Sequence, residues 1–448
     1  MTRRLLLILD ETLADALART LADHATACAH DGWAVSVMRV PRGGRAAPEV
    51  VPVGRRVREE YARRPFDALL VVGCVPKPYS GTGYAWNGGH YAGACLCDAF
   101  YAAPWVPIDA WTSRDKVTAA GASSRSRNAP DDNVWDVNVL RDHPASLRAF
   151  GPGQSLHPHD ARPVLPHGRI DASGICDFLS RPEVDLVREA LERSTAWRMG
   201  LAPQLLRVVL WDSSFEPSPG AATRAAWAPL GAIQAGRCVG DDSGTADGWR
   251  SVPLPDAIAY VAGTGGGPLG DDLDGQYLHW GSWHGRPTDR SLRPDTFLGR
   301  AYPPAIWQMW GSYVGDLDAP RSLLRIAYFA GRNTVHVTTD LPMAHWTPGA
   351  TFGDLWARQQ AAVAKNPNNA VGVLSLSVGD PTLPVVPPAT PRKIGDVNLD
   401  GVVNFADLLT LAQNYGKKTG ALAAAGDLDG SGVVDFADLL RLQQEMGK

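Results

Sequence analysis

Arg3-Arg4-Leu5-Leu6-Leu7-Ile8-Leu9-Asp10 opens the chain with five consecutive apolar residues closed by an acid. A run that is apolar at every position predicts a strand covered on both faces, as in a parallel sheet. The two arginines before it give a superficial likeness to a secretion leader, but such leaders need an apolar region of roughly 7–15 residues. Any export signal therefore lies outside this sequence, export uses another route, or the protein stays inside the cell. Beyond the run, Thr12 is an N-cap candidate, and Leu13, Leu17, Leu21 and Cys28 recur on one helical face. Residues 34–40 alternate like a second strand, and residues 66–72 form another continuous apolar run. Strand, helix and strand in this order predict an α/β fold with a parallel sheet.

Residues 77–168 are loop-rich, with many glycines between Pro78 and Gly93. Such a loop at the carboxyl end of a parallel strand is either a binding site or a packed surface loop. A second α/β block begins at Gly168, with a helix opened by Ser180 and Pro182 and carried by Val184, Val187, Ala190 and Leu191. Strands are expected at 205–211, 257–262, 323–330 and 371–378, the second running into the turn Gly263-Thr264-Gly265. These patterns predict two lobes, residues 1–167 and 168–383. Pro381, Pro384, Pro387, Pro388 and Pro391 then mark a semi-rigid linker at 384–392, ahead of a separate domain at 393–448.

Composition narrows the function. The chain has 448 residues, enough for several domains with their own cores. A net charge of −4 gives no field favouring nucleic acid or an anionic membrane, and no apolar run approaches the roughly 20 residues of a membrane span. Cys28, Cys74, Cys95, Cys97, Cys176 and Cys238 do not form a disulfide-dense pattern. Cys95-x-Cys97 lacks the spacing of a redox or zinc motif, so the cysteines read as small buried hydrophobes. The 15 tryptophans could line a sugar-binding surface, but scattered tryptophan more often serves a core.

After the linker the chain repeats itself at an offset of 31 residues, from Asp396 to Asp427. Oxygen-bearing side chains fall at positions 1, 3, 5, 9 and 12 of two twelve-residue loops. They are Asp396, Asn398, Asp400, Asn404 and Asp407, then Asp427, Asp429, Ser431, Asp435 and Asp438. Position 7 supplies a backbone carbonyl, so Val402 and Val433 are acceptable there, and the glycine at position 6 (Gly401, Gly432) permits a sharp turn. Six to eight hard oxygen donors wrapped by such a loop suit calcium, so two Ca2+ ions are expected. Each loop runs into one helix, 405–415 and 436–446, and no strong helix precedes either, giving a small all-α domain of loop–helix half-hands.

This segment resembles dockerin type I modules, which favour Asp at position 12. The resemblance implies an extracellular or cell-surface protein with two structural calcium ions and a cohesin-like partner. Positions 10 and 11, where Ser/Thr-type residues usually help to recognise cohesin, are Phe405-Ala406 and Phe436-Ala437. Those phenylalanines could instead mediate self-association or pack on a neighbouring domain.

Residues 3–383 resemble the two-lobed catalytic domain of gingipain-like, caspase-like cysteine peptidases. Besides the opening strand–helix–strand unit, the likeness rests on Asp98-Ala-Phe-Tyr101, on Gly168-Arg169-Ile170, and on Val378-Gly379-Asp380-Pro381-Thr382-Leu383. In that family a histidine in a Gly-His-Gly turn and a cysteine after the next core strand form the dyad. Here Thr264 and Ser312 stand at the matching positions, and a serine without a base is a poor nucleophile. His279 and His284 lie in the intervening loop, His284 being the one candidate base for Ser312. Asp271, Asp272 and Asp274 form either a further calcium site or a solvated acidic turn. The expected function is a calcium-binding extracellular protein with an inactive peptidase-like body, acting in binding or assembly. The alternative is a secreted hydrolase, a peptidase or a carbohydrate-active enzyme, carried by its dockerin.

Overall fold

The apolar run at the N-terminus is strand β1 (Arg3–Asp10), and the two-residue period of a strand divides its side chains between two cores. Leu5, Leu7 and Leu9 join Leu13, Leu17, Cys28 and Trp33 on one face. Leu6 and Ile8 join Val50, Val53 and Val57 on the other. β2 (Trp33–Val40) and β3 (Ala68–Val72) flank β1 in parallel, and β3 splits its side chains in the same way. Helix α1 (Ala18–His30) covers the first face and α2 (Val50–Arg63) the second. The capping role expected of Thr12 falls to Asp10, whose carboxylate accepts from the Thr12 amide, and regular helix begins only at Ala18.

The structure, a computed structural model, describes residues 2–82, 93–116, 129–137, 164–201, 207–210, 258–264, 266–269, 275–278, 298, 306–310, 317, 321–331, 334–338, 349–365, 377–385, 387–388, 391–398, 400–417, 426–428 and 433–446. Strands β4 (Tyr79–Thr82), β5 (Gly93–Leu96) and β6 (Val134–Trp135) form a small sheet beside the main one. The later strands are β7 (His167–Ile170), β8 (Arg207–Leu210), β9 (Ile258–Thr264), β10 (Gly266–Leu269), β11 (Gly275–Leu278), β12 (Ile306–Trp310), β13 (His336–Thr338) and β14 (Ser377–Gly379). Nine of the described strands make one sheet in the order β2-β1-β3-β7-β14-β13-β12-β9-β8.

Pairing is parallel throughout this sheet except between β13 and β14. The carboxyl ends of the N-terminal strands therefore open on one rim, and those of β9 and β12 on the opposite rim. The division expected at 167/168 falls inside β7, and one hydrophobic cluster runs from Leu5 through Leu323, Tyr328 and Val337. The two lobes are halves of one sheet with a shared core.

Besides short helical turns at Ala99–Ala102, Ile108–Thr112 and Cys176–Leu179, the described body has three longer helices after α2: α3 (Glu183–Arg198), α4 (Leu323–Ala330) and α5 (Phe352–Lys365). The segment 323–330, expected as a strand, is helical. Every residue from Leu323 to Phe329 is buried, so no polar face betrays the helical period. Its one charge, Arg325, donates to the carbonyls of Asp171, Leu317 and Ser173. Of the segment 371–378, the described part contributes only the start of β14. Cys28, Cys74 and Cys97 are buried and Cys176 is partly buried, and none of the four is in a disulfide. Trp33, Trp111, Trp135, Trp197 and Trp356 are core residues, with the Trp135 ring stacked 4.4 Å from that of Phe100.

The proline-rich segment is not a free linker. The Pro384 carbonyl accepts the Trp197 indole N–H (2.8 Å), and Val385, itself buried, donates to the Ala350 carbonyl (3.0 Å). Arg392 donates its amide to Met199 (2.7 Å) and its guanidinium to Asp31 (2.6 Å). Proline removes donors but leaves carbonyls, and here neighbouring donors use them. The segment is a strap tied across the body.

Candidate functional site

The C-terminal module is built on α6 (Phe405–Asn414) and α7 (Phe436–Glu445), packed around Val397, Val403, Leu411, Leu428, Val434 and Leu442. In the first loop Gly401 has φ +91°, the left-handed conformation that favours glycine at the tight turn. The Asp396 carboxylate accepts from the amides of Asp400 (3.0 Å) and Gly401 (2.8 Å). Asp407 accepts from Val397 (2.7 Å), Asn398 (3.1 Å) and Asn404 (2.8 Å), and Asn404 caps α6 through the Ala406 amide (2.7 Å). Asp400 accepts from the Asn398 side-chain amide (2.9 Å) and the Val402 amide (2.9 Å). The second loop repeats the pattern: Asp438 accepts from Leu428 (2.6 Å) and Asp435 (2.8 Å), and Asp435 caps α7 at Ala437 (2.8 Å). Val433 is described; Asp429, Ser431 and Gly432 lie outside the described residues.

These residues fit calcium. Asp396, Asp407, Asp427 and Asp438 are only 0–2% exposed. Among the described residues, no lysine or arginine pairs with Asp396 or Asp407, whose bonded partners are backbone amides. Buried carboxylates without a cation are costly, and each ionised carboxylate offers about four lone-pair sites, more than these amides use. The donor set is all oxygen, as a hard cation requires. On the outer surface Phe405 and Phe436 are 69% and 59% exposed, and Leu409 and Leu440 lie exposed one turn further along each helix. Neither phenylalanine is buried against the body in this structure.

Thr264, one of the two residues that stand where the resemblance puts the peptidase dyad, lies on the far half of the sheet. β9 and β12 are adjacent and parallel, with Thr264 in register with Trp310. Thr264 ends the strand rather than sitting in a turn, and β12 leads toward Ser312. Ser312, His279, His284, Asp271, Asp272 and Asp274 lie outside the described residues. Residues 83–92 of the glycine-rich loop after β4 are likewise outside the described set.

The residues of the peptidase-like motifs are packed inside the body. Arg169 grips Asp98 through two bonds (2.7 and 2.8 Å), both side chains 2% exposed, and the Tyr101 hydroxyl donates to the Pro76 carbonyl (2.7 Å). Gly168 packs so tightly on β14 that an added Cβ would lie 2.1 Å from the Gly379 carbonyl oxygen. Asp380 anchors a buried network that periodicity could not reveal. It accepts from Arg198 (2.6 Å) and lies 3.2 Å from His24 Nε2, which in turn lies 3.6 Å from the Cys28 sulfur. Burial opposes a charged imidazole, but Cys28 and Asp380 outweigh it and hold His24 up at about 9. Burial pushes His336 down to about 3 and His30 down to about 4, so both are neutral in the fold. Only the i, i+4 spacing of His24 and Cys28 is visible in sequence; their meeting with Asp380 is tertiary.

Residues 394–447 match the dockerin type I domain family. No curated protein matches the chain. Among solved structures, the Arg-specific cysteine proteinase gingipain R shares the fold, with a TM-score of 0.50 and 12% identity over 86% of this chain and 78% of that one. A second structure, described as a protease, aligns with a TM-score of 0.48 and 11% identity over 86% of this chain and 79% of that one. The body therefore has a gingipain-like α/β fold, and the C-terminal domain is dockerin-like. Among the described residues no helix is long and apolar enough to cross a membrane.

Proposed function

We propose that this chain is an extracellular or cell-surface calcium-binding protein that joins a larger assembly through its C-terminal module, with a catalytically inactive body as its cargo. The observation that carries this reading is the module itself. Two matched loops bury aspartates around an oxygen-only donor set, beside two exposed Phe/Leu pairs on helices of the same pattern. Dockerin type I domains bind calcium and dock on cohesins, and a cohesin-like protein is the partner this module fits. Asp396, Asn398, Asp400, Val402, Asn404 and Asp407 would hold one ion, and Asp427, Asp429, Ser431, Val433, Asp435 and Asp438 the other. Calcium would supply the charge that lets the acidic loops close; the chain's own residues set the shape of the face that meets the partner.

Inactivity of the body rests on Thr264 and Ser312 standing where the peptidase dyad would be. The thiolate–imidazole pair that makes such a nucleophile competent is missing from both positions.

Isothermal titration of calcium into the full chain should show two equivalents bound; no uptake at millimolar calcium refutes the metal reading. Peptide hydrolysis by the purified protein that is lost in Ser312→Ala refutes the inactive body and favours the hydrolase.

A further inference from the structure

The two calcium loops repeat each other in sequence but differ in their surroundings. Val397, in the first loop, donates its amide to Asp407 (2.7 Å) and belongs to the module's own core. Leu428, its counterpart, donates its amide to Asp438 (2.6 Å), while its carbonyl shares the single hydroxyl proton of Thr26 on α1 with the Ala22 carbonyl one turn back (3.0 Å). Thr26 and Leu428 are fully buried. Beside them Arg441 on α7 pairs with Asp23 on α1, and Arg392 at the end of the strap pairs with Asp31 just past α1. One residue of the second loop thus joins a calcium-ligand position to the body through its two peptide groups.

We propose that calcium binding at the second loop is coupled to docking of the module on α1, through Leu428. The inference rests on the calcium reading above. With the ion bound, Asp427 and Asp438 converge and fix the Leu428 backbone where Thr26 can reach it. Without the ion, repulsion between the buried carboxylates of Asp427 and Asp438 carries the Leu428 carbonyl away from Thr26. Linkage makes the effect reciprocal: whatever the docked state gains from calcium, calcium binding gains from docking. Among the described residues no peptide group of the first loop bonds α1 in this way; Val403 of that loop only shares a cavity with Thr20 and Asp23, so its calcium affinity depends less on α1. The surface on α1 therefore selects the loaded form of one loop, and the chain carries two unequal calcium sites from nearly equal sequences.

The test substitutes the body and reads calcium on the module. Titration calorimetry of the full chain with calcium alone is repeated for Thr26→Val, which removes the hydroxyl and keeps the branched shape. Asp23→Asn, at a partly exposed position, probes the same surface without disturbing the core. Each should weaken one of the two calcium equilibria about two- to tenfold, the worth of one net hydrogen bond or ion pair. The effect should persist in Asp396→Ala, which disables the first loop, and vanish in Asp427→Ala, which disables the second. Calcium binding that neither body variant changes, or a Thr26→Val effect that survives Asp427→Ala, overturns the coupling while leaving the calcium reading intact. Absence of calcium uptake by the unsubstituted chain overturns both.

Discussion

Arg169→Met should be among the most damaging single substitutions in the body. Arg169 and Asp98 are each 2% exposed and joined by two charge-assisted bonds of 2.7 and 2.8 Å. Charge centres about 4 Å apart attract by roughly 4 kcal/mol at an effective dielectric near 20. Removing the guanidinium forfeits that attraction and leaves the Asp98 carboxylate buried alone. The expected loss is about 3–5 kcal/mol, a large part of the roughly 5–15 kcal/mol that holds a domain together. Asp171, also beside Arg169, keeps Lys77 at 3.1 Å, so it is not left bare. Asp98→Asn should cost a similar amount, whereas Asp98→Asn with Arg169→Met should cost clearly less than the sum, because no lone charge remains. Urea unfolding followed by tryptophan fluorescence measures all three, since Trp33, Trp111 and Trp135 lie in the same cores. Single variants that lose less than about 1 kcal/mol, or a strictly additive double variant, would refute the view that this motif is a buried structural clamp.

Asp396→Ala and Asp427→Ala should each weaken calcium uptake by at least the roughly 10–100-fold typical of losing even a supporting residue, and chelation should lower the melting temperature of the full chain. Stability should peak near pH 6.5. Above that, protonated His24 in the fold is matched by neutral histidine in the unfolded chain, so stability falls as pH rises toward about 9. Below it, the unfolded chain takes up protons that buried His336 and His30 refuse until about 3 and 4, so stability falls again; thermal melts from pH 4 to 9 read both arms. Gly168→Ala should destabilise the body by about 1–3 kcal/mol or more, because the new Cβ meets the Gly379 carbonyl at 2.1 Å; Gly174→Ala has open space but a φ of +77°, and should cost only its backbone strain of about 1 kcal/mol.

Much of this was legible from residue order, for reasons that can be named. β1 and β3 are buried on both faces, so continuous apolar runs announced them without ambiguity. The two loop–helix repeats of the C-terminal module were legible because their oxygen-bearing residues recur at one fixed spacing along the chain, the spacing a dockerin type I match rests on. Residues 323–330 misled because a helix buried all round has no period to read. Ser322 before it and Gly331 after it are the boundary residues that favoured a helix. The strap was misjudged because proline content reports stiffness, not whether nearby donors such as Trp197 will take the free carbonyls. Neither the His24–Cys28–Asp380 network nor the inequality of the two loops could be read beforehand, since each joins opposite ends of the chain.

The strap also sets how this chain would behave when several copies share one scaffold. A flexible tether lets a module search space, and its reach sets the effective concentration at which a second contact forms. Here Pro384, Val385 and Arg392 are tied down on the body, so the module has almost no reach of its own. What it offers in exchange is direction. A partner that gripped Phe405 or Phe436 would receive the body at a set angle, and the spacing between neighbouring bodies would then be dictated by the scaffold alone.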